Sequence, residues 1–155
     1  MLADDVYKSR LRSNIVALET WLAGLRDMAA IDVEGDDASW RAAVSPGLRE
    51  ACPFELVLRT DQKFDLSVGR EAYEDLAVAS LELLPPLLVA ITQGRVVTRT
   101  WATAGTATPV RIETIITPAT GSPWIAARAL RALASNDGGG LVMRDRHYVP
   151  YARGA

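Results

Sequence analysis

Phe54-Glu55-Leu56-Val57-Leu58-Arg59, then Thr60-Asp61-Gln62-Lys63, then Phe64-Asp65-Leu66-Ser67-Val68, is the stretch on which the fold class turns. Phe54, Leu56 and Leu58 alternate with Glu55, Val57 and Arg59, and Phe64, Leu66 and Val68 alternate with Asp65 and Ser67. A period of two puts one side chain in and the next out, which is the signature of a strand covered on one face. The four residues between the runs include an aspartate, a turn former. The stretch therefore predicts an antiparallel hairpin, oily on one side and mostly polar on the other.

Towards the carboxyl end, Glu71 to Gln93 reads as helical, with Asp75 as a cap, a break at Pro85-Pro86 and a stop at Gly94. A second hairpin follows. Val96 to Thr103 and Val110 to Thr117 are rich in β-branched residues, joined by Ala104-Gly105-Thr106-Ala107. The register that sets Arg99 opposite Glu113 also sets Trp101 opposite Arg111 and Val97 opposite Ile115. It predicts one cross-strand ion pair and one cation–π contact. Ser122-Pro123 reads as a cap with proline in the first turn of a helix from Trp124 to Ser135. The alternative is a third strand from Trp124 to Leu130. Gly138-Gly139-Gly140 is a hinge, and Leu141 to Tyr151 adds an edge strand or lies across a neighbouring subunit.

Towards the amino end, Leu11, Ile15, Leu18, Leu22, Leu25 and Ala29 recur at spacings of four and three. That rhythm keeps one apolar seam on one side of a helix. Trp21 and Met28 widen the seam, and the predicted helix runs from Asp4 to Ala30. A short second helix is expected from Asp37 or Ser39 through Trp40 to Val44, closed by Ser45-Pro46-Gly47. The expected fold is α+β. An antiparallel sheet of four to five strands (two hairpins) has helices packed on one face and a long N-terminal helix. Residues 1–137 form the domain, and 138–155 form a Gly-hinged strand or tail.

A chain of 155 residues with 49% apolar and 23% charged content is long enough for one self-sufficient core. The net charge of −2 is divided unevenly: residues 1–94 carry 16 acids against 9 bases, and residues 95–155 carry 3 against 8. Arginine fills 15 of the 17 basic positions and alanine is abundant, in keeping with a GC-rich bacterial coding sequence. Cys52 is the only cysteine, so no disulfide forms within the chain. Met1 to Val6 lacks the basic and apolar regions of a secretory signal. The oiliest run, Leu76 to Ile91, is interrupted by Glu82, Pro85 and Pro86 and is too short to cross a bilayer. A cytoplasmic protein without a membrane segment is expected.

Chemistry-bearing patterns are sparse. His147 is the only histidine, which excludes two-histidine metal sites within one chain. A Cys52–His147 dyad is arithmetically possible, but no spacing selects it. Asp32-Val33-Glu34-Gly35-Asp36-Asp37 bunches four carboxylates. Its glycine falls at the fourth place, and Ala43 stands where a calcium loop needs a bidentate glutamate. Phosphate loops, dinucleotide fingerprints, nucleophile elbows and paired Cys-x-x-Cys are absent, and no cofactor or metal is expected. Arg144, Arg146 and Arg153 interleave with His147, Tyr148 and Tyr151. Such tails grip nucleic acid, but the negative net charge favours packing against the acidic amino-terminal half instead.

Two functional expectations result. In the first, the chain is a non-enzymatic protein–protein interaction module, a homo-oligomer or a protein's partner, with Leu11, Ile15, Leu18, Leu22 and Leu25 as its interface. In the second, it binds or transforms a small molecule in a pocket between sheet and helices lined by Glu82, Tyr73 and Trp101. A buried Glu82 would there serve as general acid or cation ligand.

Overall fold

The computed structural model describes residues 2–130 and 140–152. An opening helix α1 (Asp4–Ala23) is followed by five strands: β1 (Ala29–Gly35), β2 (Ser39–Pro46), β3 (Phe54–Arg59), β4 (Lys63–Val68) and β5 (Glu71–Ala77). A 3₁₀ turn (Leu81–Leu83) leads into α2 (Leu84–Thr92), then β6 (Val96–Thr103), β7 (Pro109–Ile116), β8 (Trp124–Ala129) and β9 (Leu141–His147). The α+β class and the long N-terminal helix stand. The strands, however, divide between two antiparallel sheets: five in the order β1-β2-β3-β4-β5, and four in the order β8-β7-β6-β9. The first is a meander. In the second the last strand returns beside the first, a Greek-key order.

The quoted hairpin is β3–β4, paired from Phe54↔Val68 to Leu58↔Phe64. Its apolar positions join Trp40, Ala42 and Val44 of β2 in one core with Tyr7, Leu11, Leu18 and Leu22 of α1 and Leu84, Leu87, Leu88 and Ile91 of α2. Polar groups anchor the helix to the sheet. The Tyr7 hydroxyl donates to the Arg59 carbonyl (2.8 Å), and the Trp40 indole N–H donates to the Glu19 carboxylate (2.9 Å).

Three predicted helical stretches are strands instead, and a further strand stands at the predicted end of the first helix. Helix α1 ends at Ala23 rather than Ala30, and its expected last two residues, with the expected break after them, form β1. There Ile31 and Val33 alternate with Asp32 and Glu34, and pairing with β2 satisfies backbone groups that a lone helical turn would leave open. The expected helix at Trp40–Val44 is β2, because Asp36 accepts backbone N–H groups from Ala38 (2.8 Å) and Ser39 (2.9 Å) and turns the chain into a hairpin. Residues 71–77 are β5: Gly69, at φ 62°, starts a two-residue turn that folds this stretch back along β4. Asp75 does not cap a helix; it sits at φ 56° beside a register shift, and its N–H donates to Asp65 (2.8 Å). Trp124–Ala129 is β8, the alternative strand reading, paired along β7. The rest of that predicted helix, 131–135, lies outside the described residues, as do Gly138 and Gly139.

Pro85-Pro86 occupy the first turn of α2 rather than breaking it, where their missing N–H groups cost nothing. Gly94 ends the α2 region at φ 76°. Hairpin β6–β7 has the expected register, Val97↔Ile115, Arg99↔Glu113 and Trp101↔Arg111. The ions choose other partners: Arg99 grips Asp145 of β9 (2.8 and 3.0 Å), and Arg111 pairs with Glu113 two residues along its own strand (3.0 Å). The cation–π contact is Arg146 over Tyr148, 5.0 Å from the ring centre.

The sheets meet at β5. Tyr73 hydrogen-bonds the buried Thr114 of β7 (2.7 Å) and meets Trp124 of β8 edge-on. Glu71 holds Arg128 of β8 through two bonds (2.9 and 3.3 Å). Beyond β9 the chain is fastened to the amino-terminal half: Val149 donates to the Glu50 carbonyl (3.1 Å), and the Tyr151 hydroxyl donates to the Cys52 carbonyl. No described helix is long and apolar enough to cross a membrane.

Candidate interaction surface

The α1 seam faces the chain's own core. Leu11, Leu18, Leu22 and Leu25 are buried, and Ile15 packs half-buried against the same cluster. Leu18 is 1% exposed, whereas Val16 on the outer side of the helix is 64% exposed. A helix laid on a sheet needs the same stripe as a helix laid on another helix, so the spacing alone did not separate the two. The seam is covered within one protomer and offers no open area to a second.

The three predicted pocket residues do not converge. Glu82 is exposed and accepts a hydrogen bond from the Ser80 hydroxyl, which holds its carboxyl below the usual range rather than above it. The 3₁₀ turn is the cause: Leu81 and Leu84 point inward while Glu82 and Leu83 face water. Glu82 lines a cleft of about 220 Å³ with Tyr7, Arg10 and Gln62. Tyr73 is elsewhere, buried between the sheets, where burial raises its hydroxyl pKa. Trp101 is half-buried on β6, and its indole N–H has no hydrogen-bond partner among the described residues. An acid held ionised in the open is a poor general acid at neutral pH.

Cys52 is fully buried, and desolvation pushes its thiol up to about 12. It is protonated at neutral pH and is not an activated nucleophile. His147 stands exposed at the end of β9. Among the described residues no three metal-binding side chains converge. A shallow cleft of about 430 Å³ is lined by Leu25, Met28, Thr92, Arg95 and Tyr151 with no acid–base pair among them.

What the described residues do present is an open sheet edge. Every residue of β9 is exposed, on both faces. Leu141, Val142 and Met143 are 40%, 45% and 44% exposed, and Ile125 on the opposite edge strand β8 is 60% exposed. An unpaired edge carrying large apolar side chains is a template for another strand and is normally blunted. Beside these, Arg144 and Arg146 form no ion pair with any described carboxylate. The edge strand at the far end of the first sheet, β1, carries the opposite sign: Asp32 and Glu34 share the single guanidinium of Arg41 with Glu55, at 3.2, 3.9 and 3.0 Å. The sequence signal was the unequal division of charge between the halves; that the charges lie on edge strands is a tertiary fact. Compared with known proteins, the chain matches no family model, no curated protein and no solved structure.

Proposed function

We propose that this chain is a non-enzymatic interaction module of the cytoplasm, acting through the open edge of its second sheet in a homo-oligomer or against a protein partner. The observation that carries the reading is the exposure of Leu141, Val142 and Met143 on an edge strand that pairs only with β6 among the described residues. Burying apolar surface is the main driving force of association, and an open edge adds directional backbone hydrogen bonds. The small-molecule reading has less support, since Glu82, Tyr73 and Trp101 do not share a cavity. Site-specific photo-crosslinking tests the proposal. A cross-linker at Met143 should give a discrete protein adduct, and one at Val16, equally apolar but on α1, should not. Identical adducts from both positions, or none from Met143, would overturn it.

A further inference from the structure

Resting on that reading, the two open edges with opposite charge identify the partner strand. Each is seven residues long, Ala29–Gly35 and Leu141–His147. Their backbone phases follow from the flanking bonds. Gly47 N–H donates to Met28, and Asp36 N–H donates to Ser39 (both 2.9 Å), so even-numbered residues of β1 turn their backbone groups towards β2. Ala29, Ile31, Val33 and Gly35 are left facing outward. Ala104 N–H donates to Gly140 (3.3 Å), which by the same alternation leaves Leu141, Met143, Asp145 and His147 facing outward on β9.

Antiparallel addition of β1 to β9 then allows a register in which Ile31, Val33 and Gly35 form the hydrogen-bonded pairs with His147, Asp145 and Met143. The same register places Asp32 opposite Arg146 and Glu34 opposite Arg144. These are the non-hydrogen-bonded positions, where opposed side chains come closest. Backbone phase and charge are separate requirements, and one register meets both. Self-pairing does not. Fully overlapped, β1 against its own copy sets Asp32 against Asp32, and β9 against its own copy sets Arg144 against Arg144, and like charges directly opposite destabilise a ladder.

We infer that the chain associates with further copies of itself head to tail, β1 of one protomer adding as an antiparallel strand to β9 of the next. Such a contact is heterologous, so it closes into a ring or continues as a filament.

Sedimentation velocity on the full chain, from micromolar to about 0.5 mM and at low and high salt, tests this. Association should rise with concentration and weaken with salt. Asp32→Arg with Glu34→Arg leaves both edges basic; Arg144→Glu with Arg146→Glu leaves both acidic. Each variant alone should associate at least about tenfold more weakly. An equimolar mixture of the two should recover association, because each edge then meets its opposite. Glu34→Arg and Arg144→Glu singly provide the same test should a double variant fail to fold. A monomeric wild type across the range, variants that associate like wild type, or a mixture no more associated than its components would overturn the inference. In that event a Met143 cross-link to a different protein leaves the interaction-module reading standing, and its absence removes both.

Discussion

Leu18→Ala is expected to destabilise the folded chain by about 3 kcal/mol without changing its oligomeric state. Leu18 is 1% exposed, in the cluster formed by α1, α2 and the first sheet. The substitution removes three carbon atoms, about 0.8 kcal/mol each in lost transfer energy. The neighbours belong to a sheet and a long helix that cannot collapse fully into the gap, so a cavity contribution brings the total to about 3 kcal/mol. For a chain of this size the midpoint of thermal unfolding should fall by roughly 6–12 °C. Val16, on the outer side of the same helix and 64% exposed, is the control, and Val16→Ala should change stability by less than about 0.5 kcal/mol. Urea unfolding at two widely separated protein concentrations is the assay. A loss below about 1 kcal/mol for Leu18→Ala would refute the packing argument. So would a loss that depends on protein concentration and accompanies dissociation of a dimer. The first result would mean that Leu18 is not tightly packed, the second that the seam is covered by another chain.

The junction of the sheets makes a second prediction. Tyr73→Phe and Thr114→Val should each cost about 1–2 kcal/mol, because each strands a buried hydroxyl, while the double variant should cost clearly less than their sum; strict additivity would show that the hydroxyls do not bond. Acid should also weaken the fold. The Arg99 guanidinium holds Asp145 below its ordinary range, and Arg59 does the same for Asp75. Depressed carboxyls contribute stability that is present above their unfolded pKa, about 4, and is lost as pH falls through the lower folded values. Urea midpoints measured downward from about pH 6 should therefore decline, and Arg99→Gln should flatten the decline; an unchanged slope in that variant would contradict the assignment.

Much of the chain was legible because its strongest patterns have only one physical solution. Phe54 to Val68 alternates too long and too cleanly to be a helix, and Val96 to Ile116 matched its register through β-branched positions. Gly94 marked the end of α2 because its φ of 76° is one that other residues rarely adopt. The misread segments are shorter and fit both periods. Ile31-Asp32-Val33-Glu34, read as the break after the first helix, and Trp40 to Val44, read as a helix, are only four or five residues, over which periods of 2 and 3.6 barely separate. Glu71-Ala72-Tyr73 and the alanine-rich β8 carry helix formers that a neighbouring strand overrode. The site residues failed for a related reason. Hydrophobic spacing shows that one side of a segment is shielded, but not by what.

The residue order by itself determined that this is an antiparallel α+β chain with an apolar helix face, a single cysteine and opposite charge in its two halves, because composition and local period are properties of the sequence alone. Only the tertiary structure decided that the helix face is covered from within and that Leu141-Val142-Met143 is not. That choice depends on which strand finds a partner on each side, and the outermost strands of any open sheet find one only on one side.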